Sequence, residues 1–104
     1  MAVIEVTKEN FEAEVLRSEV PVLADFNADW CGPCRSMRPM LDELAEEQDS
    51  FKIVSINIDD EDELTDEYDV SSIPCLVVFK GGEEVNRSVG LIPKDAIAAL
   101  AVEG

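Results

Sequence analysis

Residues 21–34 read PVLADFNADWCGPC, and this stretch decides the fold because it joins a run of apolar residues to a closely spaced pair of cysteines. The run at residues 21–26 contains one carboxylate, Asp25, and such a nearly continuous run is typical of a strand covered on both faces, as in a parallel sheet. Beyond Cys34, apolar residues recur at helical spacing at Met37, Met40, Leu41 and Leu44. The stretch therefore predicts a buried strand followed by an amphipathic helix, with the cysteines at the junction.

The rest of the chain alternates between strand and helix patterns. Four further strands are predicted, at residues 2–6, 52–58, 75–80 and 83–89. Three further helices are predicted, one capped by Thr7 or Asn10, one within residues 59–69 and one at residues 94–102. Gly81-Gly82 predicts a two-residue hairpin turn, and Pro39 is expected to kink the helix that follows Cys34. The order βαβαβαββα predicts an α/β fold with a mixed sheet, in which residues 1–104 form a single domain.

Composition excludes several classes of protein. The 104 residues are 46% hydrophobic and 31% charged, a balance typical of one globular domain. Eight basic against 24 acidic residues give a net charge of −16, which repels phosphate backbones and anionic lipid and disfavours nucleic acid or a membrane surface as a partner. The acidity fits a solvated surface, adaptation to high salt or docking against basic partners. No apolar run approaches the ~20 residues of a membrane span, and residues 1–7 lack signal-peptide features, so we expect a soluble cytoplasmic protein.

The chain has three cysteines, Cys31, Cys34 and Cys75, and no histidine. Side chains three residues apart on a helix lie about 5–6 Å from each other, within reach of a disulfide. Unpaired backbone N–H groups and the helix dipole at a helix start are expected to lower the pKa of Cys31 and stabilise its thiolate, the species that attacks a disulfide. We expect Cys31 to be the exposed attacking thiolate and Cys34 the shielded thiol that resolves the mixed disulfide.

Other interpretations of the cysteines remain open. Cys31 and Cys34 could form half of a zinc site, although only Cys75 and a carboxylate could complete it. They could also form a static disulfide, which would be unexpected in a cytosolic protein. Cys75 itself is interpreted as a small buried strand residue or as a third thiol open to mixed disulfides.

Asp25 is the second candidate functional residue. Its neighbours in the run are apolar, namely Val22, Leu23, Ala24 and Phe26. A covered strand would leave Asp25 poorly solvated, with a raised pKa. A buried carboxyl close to the dithiol could take up the proton that Cys34 must lose, whereas a position at a strand edge would make it an ordinary surface carboxylate.

These motifs resemble those of the thioredoxin family over essentially the whole chain. Residues 24–26 followed by Trp30-Cys31-Gly32-Pro33-Cys34 are similar to the strand and active-site signature of the family. Ser72-Ile73-Pro74 resembles the loop that carries a cis proline facing the dithiol, and Val89-Gly90 resembles the glycine near the substrate groove. Pro39 and Lys80-Gly81-Gly82 also fall where the family has them.

The resemblance implies a thioredoxin fold, a mixed sheet of four to five strands flanked by helices, and a thiol–disulfide oxidoreductase that reduces protein disulfides. It implies Cys31, Cys34 and Asp25 as catalytic residues. It also implies an apolar platform that binds an extended substrate segment, formed by Trp30, Gly32, Pro33, Ile73, Pro74 and Gly90. The Gly-Pro pair between the cysteines resembles that of the reducing members.

The resemblance further implies a set of partners. These are a thioredoxin reductase that recharges the protein and client proteins that contain disulfides. The redox-active cysteine pair would serve without a metal or an organic cofactor, and the protein would be a monomer. The alternative is an interaction module with the same fold, whose redox activity is incidental.

Three residues depart from the family pattern near the predicted site, one of them Cys75, which follows Pro74 where a threonine is common. Asn27 stands where an aromatic residue is usual, which is expected to loosen packing beside the active-site turn. Ser55 stands where many members have a lysine close to the buried aspartate, so Asp25 lacks its usual cationic neighbour. Asp25 is therefore expected to be more easily protonated.

Overall fold

The computed structural model describes residues 1–103, which form the five predicted strands and, in the predicted order, three of the four predicted helices. The strands are β1 (Ile4–Glu5), β2 (Val22–Asn27), β3 (Lys52–Asn57), β4 (Cys75–Lys80) and β5 (Glu83–Val89). The helices are α1 (Gly32–Glu47), α2 (Asp62–Glu67) and α3 (Lys94–Glu103). A single π-helical turn, Glu12–Leu16, lies between β1 and β2.

The strands form one mixed sheet in the order β1-β3-β2-β4-β5. β3 pairs in parallel with β1 and β2, because the chain crosses over through a helical segment between each of these strands. β4 is antiparallel to β2, and β5 is antiparallel to β4. The predicted α/β class and the mixed sheet flanked by helices are therefore confirmed.

Strand alternation divides the apolar core into two layers. On one face of the sheet, Leu23 packs with Met37 and Leu41 of α1. On the other face, Phe26 packs with Val15 of the π-helical turn and with other buried residues. Because side chains alternate along a strand, Asp25 lies on the same face as Leu23, which is the face that α1 covers.

The predicted hairpin is confirmed at Gly81 and Gly82. Both residues have positive φ, 59° and 83°, a conformation that glycine adopts without the steric cost of a Cβ. A Cβ on Gly82 would come within 3.0 Å of the backbone oxygen of Leu16, so this turn also packs closely against the π-helical turn.

The first 20 residues differ from the prediction. The first strand is only Ile4–Glu5, and the expected helix is a five-residue π-helical turn. Neither Thr7 nor Asn10 caps it, because the Asn10 side chain accepts a hydrogen bond from the Thr7 backbone N–H instead. Side-chain bonds that close a local turn compete with helix capping in this way.

Other boundaries differ by one or two residues. β2 is shifted one residue later than predicted, and α1 begins at Gly32, two residues before the first predicted helical position. β3 ends at Asn57, so Ile58 lies beyond it, and residues 53–56 are all buried because both faces of this strand are covered. Pro39 lies inside α1, which is continuous from Gly32 to Glu47.

Across residues 1–103, we find no helix with the length and apolar character that crossing a membrane requires.

Candidate active site

The cysteine pair lies at the junction of β2 and α1. Cys31 is the residue that caps the N-terminus of α1, and its Sγ accepts a hydrogen bond from the Cys34 backbone N–H at 3.2 Å. Cys31 and Cys34 form a disulfide with their Cα atoms 5.2 Å apart, inside the range that disulfides need. The sulfur of Cys31 therefore lies where a helix N-terminus stabilises negative charge.

The prediction that Cys31 is exposed is wrong for the oxidised protein, in which Cys31 and Cys34 form a disulfide. Cys31 and Cys34 are each only 5% exposed. The Cys31 sulfur is covered because it is bonded to Cys34 and because both cysteines pack with Ala28, Ile58 and Ile73. The two cysteines thus share one small apolar cluster, and exposure does not distinguish them.

Asp25 is buried as predicted, with 2% of its surface exposed. Burial raises the pKa of Asp25 to about 7, from an ordinary value of 3.8, and the nearby charge of Glu5 adds to the rise. The charge of Arg38 and a hydrogen bond from Asn27 lower this pKa and offset part of the effect of burial. The carboxyl can therefore exchange a proton near neutral pH.

One cleft is lined by both Asp25 and Cys34. It has a volume of about 220 Å³ and is lined by Asp25, Asn27, Ala28, Asp29, Cys34, Arg35 and Arg38. The Asp25 Oδ1 atom is buried and has no hydrogen-bond partner among residues 1–103. Cys34 and Asp25 therefore both contribute to the lining of one cleft.

Two of the departures from the family pattern, Asn27 and Ser55, contact each other. The Asn27 Nδ2 atom donates a hydrogen bond to the Ser55 Oγ atom at 2.8 Å. The same nitrogen donates to the Asp25 backbone oxygen at 2.8 Å and to the Asp25 Oδ2 atom at 3.3 Å. In place of an aromatic ring and a lysine, this chain therefore has a polar network around the buried carboxyl.

The predicted substrate platform includes a loop that lies against the disulfide. The Ile73–Pro74 peptide bond is cis, as expected, and Ile73 packs against the two cysteines. The Pro74 carbonyl accepts a hydrogen bond from the Gly90 N–H at 2.8 Å, which ties the two loops together. Gly90 has φ 102°, a conformation that strongly favours glycine.

The other platform residues flank the cysteines along the chain. Trp30 is 66% exposed, and its indole N–H donates a hydrogen bond to the Asp59 carboxylate at 2.9 Å. Gly32 is half-buried and Pro33 is exposed. A large aromatic side chain fixed by one bond and otherwise exposed is suited to contact another protein.

Cys75 lies in β4 and is 1% exposed, which confirms the interpretation as a buried strand residue. Its thiol is not in a disulfide, and burial raises its pKa. The thiolate that attacks disulfides is therefore disfavoured at Cys75. Within residues 1–103, no group of three or more candidate ligands is arranged to hold a metal ion.

The sequence reasoning missed Arg38, Asp59 and Ile58, which all contribute to this region. Arg38 follows Cys34 by four residues, and helical spacing places such residues on one face, so this signal could have found it. Asp59 and Ile58 follow β3, whose carboxyl end lies beside that of the parallel strand β2. Ile58 and Asp59 lie near the active-site segment only because β3 is next to β2 in the sheet, and this strand order was needed to predict their position.

Known proteins similar to this chain match it over nearly its whole length. The family model described as Thioredoxin matches residues 2–103. The chain is 47% identical to the thioredoxin of Pyropia yezoensis over 100 residues, which cover 95% of this chain and 94% of that protein. It is 48% identical to the thioredoxin of Bacillus subtilis over 101 residues, which cover 96% and 95%.

A solved structure supports the same assignment. A mutant thioredoxin from Halobacterium salinarum NRC-1 superposes with a TM-score of 0.90 at 35% identity, covering 98% of this chain and 89% of that one. The architecture around the Cys31–Cys34 disulfide is therefore the thioredoxin fold. The chain belongs to the thioredoxin family of thiol–disulfide oxidoreductases.

Proposed function

We propose that this protein is a general reductant of protein disulfides. In this proposal Cys31 is the attacking thiolate, Cys34 is the resolving thiol and Asp25 is the proton acceptor. The observation that carries the proposal is the disulfide at the start of α1, one cysteine of which, Cys34, lines the same cleft as a buried carboxyl of raised pKa.

The first step is the attack of the Cys31 thiolate on a client disulfide. A bond forms between Cys31 Sγ and one client sulfur, the client S–S bond breaks, and the other client sulfur leaves as a thiolate. The N–H of Cys34, which bonds Cys31 Sγ at 3.2 Å, would stabilise the charge on the attacking sulfur.

The second step regenerates the disulfide. Cys34 loses its proton to the Asp25 carboxylate and attacks Cys31 Sγ, and the mixed disulfide breaks to release the second client sulfur as a thiolate. Two electrons pass from the dithiol to the client, which takes up protons and leaves as a dithiol. Asp25 then returns its proton through the cleft.

We propose that the apolar surface around the disulfide binds an extended client segment. Trp30 and Pro33, next to the cysteines in the chain, and Ile73, which packs on them, would contact the residues that flank the client disulfide, together with Gly90. Such a segment could pair with the backbone of Ile73. We also propose that a thioredoxin reductase recharges the disulfide at the same surface. We further propose that the protein is a monomer with a single domain and acts in the cytoplasm.

The reduction potential of the Cys31–Cys34 pair tests whether the protein is a reductant. We expect it to lie below the cytosolic glutathione poise, which biochemical extraction puts at about −220 to −260 mV. The Gly-Pro pair between the cysteines supports this direction. The measurement equilibrates the protein with defined dithiol buffers, alkylates the thiols and weighs the products.

Cys75→Ser provides the background for this titration, so that a single couple is observed. Cys75 is buried and outside the disulfide, and its replacement by serine leaves the cysteine pair intact. A potential near −180 mV, typical of protein disulfide isomerase, would lie about 40–80 mV above that glutathione poise, which corresponds to about 2–4 kcal/mol less reducing power. That result would contradict the proposal and make the protein an oxidant or isomerase.

A further inference from the structure

A row of polar residues crosses three strands beneath α1. The register pairs Glu5 with Ser55 across β1 and β3, and Ser55 with Asp25 across β3 and β2. Paired residues on neighbouring strands point to the same face, so the three side chains lie side by side. This face is otherwise apolar, with Leu23 and Ile53 one alternate position earlier in β2 and β3.

Arg38 of α1 reaches this row from above. Its guanidinium donates hydrogen bonds to the carboxylates of Glu5 and Asp42, each at 3.1 Å. Bonds to two different elements restrict the position of the side chain, which also lines the cleft that contains Asp25. The positive charge is therefore held near the buried carboxyl by β1 and by its own helix.

Asn27 fixes one side of the same carboxyl. Its amide nitrogen has two hydrogens and three acceptors, the Ser55 Oγ atom, the Asp25 backbone oxygen and the Asp25 Oδ2 atom. The bond to Oδ2 is the longest of the three at 3.3 Å. Oδ2 therefore has a hydrogen-bond donor in Asn27, whereas Oδ1 has no partner among the described residues.

We propose that Asn27 and Arg38 are positioning residues for proton transfer to Asp25. Asn27, which is hydrogen-bonded to Ser55, holds the Asp25 Oδ2 atom so that Oδ1 takes the proton. Arg38 supplies the fixed positive charge that keeps the carboxyl available as an acceptor. This inference rests on the proposed role of Asp25. In this chain Arg38 on α1 would supply the positive charge that a lysine at the position of Ser55 on β3 supplies in many family members.

The charges around Asp25 have opposing effects. Arg38 faces it from α1 and lowers its pKa, as does the hydrogen bond from Asn27, whereas Glu5 on β1 raises it. Ser55 from β3 is neutral, Asp29 and Arg35 line the same cleft, and the charge of Asp25 acts on the buried Cys75 thiol. Cys34 is in the disulfide and becomes ionisable only when that disulfide is reduced. Loss of Arg38 is therefore expected to increase the protonated fraction of Asp25.

The test is a titration of the ¹³C-labelled carboxyl of Asp25 by NMR in the wild type and in Arg38→Gln. We expect Arg38→Gln to raise the pKa of Asp25 by about one unit. At pH 7 the ionised fraction would fall from about a half to about a tenth, which slows resolution of the mixed disulfide about fivefold. Asn27→Ala is also expected to raise the pKa of Asp25.

Three variants control for the charge and for its anchor. Arg35→Gln removes an equal charge from the same cleft and helix, and we expect a clearly smaller change because Arg35 bonds to the Asp29 backbone oxygen and is exposed. Arg38→Lys keeps the charge and is expected to restore most of the wild-type value. In a Glu5→Gln background, Arg38→Gln is still expected to raise the pKa of Asp25.

The outcomes separate this inference from the proposed function. The role of Arg38 would be overturned if Arg38→Gln left the pKa of Asp25 unchanged, or if Arg35→Gln raised that pKa as much as Arg38→Gln does. In either case Asp25→Asn would still slow resolution of the mixed disulfide, so the proposed role of Asp25 would stand. If Asp25→Asn leaves the rate of resolution and its pH profile unchanged, both the acceptor role of Asp25 and the positioning roles fail together.

Discussion

Cys31→Ser is expected to lower the rate of protein-disulfide reduction by about 10⁴-fold or more, because a serine hydroxyl does not form the nucleophile at neutral pH. Cys34→Ser is expected to stop turnover at a different stage. Its Cys31 thiolate still attacks, but the mixed disulfide has no neighbouring thiol to resolve it and accumulates. Stopped-flow reduction of a client disulfide measures the first effect, and intact-mass analysis detects the adduct in the second.

Cys75→Ser is the matched control, since it removes a cysteine that lies outside the disulfide and is buried in β4. It is expected to turn over at close to the wild-type rate. Retention of reductase activity in Cys31→Ser would contradict the mechanism and favour a static disulfide. Retention of all biological activity in the double Cys31→Ser, Cys34→Ser variant would favour the interaction module.

Asp25→Asn is expected to stabilise the fold by about 2–4 kcal/mol at pH 8 and by less than about 1 kcal/mol at pH 4. Asp25 has a folded pKa of about 7 and an ordinary value of 3.8, so the folded state binds this proton more tightly than the unfolded chain does. In the wild type, stability therefore falls as pH rises from about 4 to about 7 and then levels off. The difference between the two pKa values corresponds to about 4 kcal/mol, from which the cost of burying the amide is subtracted.

Urea denaturation of the oxidised protein at the two pH values measures this effect. Asp29→Asn is the matched control, because Asp29 lines the same cleft but is exposed, and its replacement is expected to change stability little. An Asp25→Asn variant that is no more stable than the wild type at pH 8 would show that burial of the charge is not costly. A destabilised but functional site of this kind is a common compromise between stability and activity.

The fold was predictable because most of its elements have strong local signals. The apolar run before Cys31 and the Gly81-Gly82 turn each indicate their structure without reference to the rest of the chain. The burial of Asp25 could also be predicted, since a carboxylate within a strand covered on both faces has little access to water. These features depend on residues that are adjacent in sequence.

The parts that could not be predicted depend on contacts between distant segments. The Asn27–Ser55 hydrogen bond requires the register of β2 with β3, which periodicity alone does not give. The position of Arg38 over Asp25 likewise requires the register of β1 with β3 and the packing of α1 on the sheet. The burial of Cys31 follows from disulfide closure and from the Ile73 loop, about 40 residues away along the chain.

The most direct test of the central claim is the rate at which Cys34 resolves a preformed mixed disulfide, measured against pH in the wild type and in Asp25→Asn. The account predicts a wild-type rate that rises through about pH 7, where Asp25 ionises. It predicts that Asp25→Asn is about a hundredfold slower at pH 7 and no longer shows this rise. Equal rates and the same pH profile in both proteins would contradict the claim that the buried carboxyl accepts the proton of Cys34.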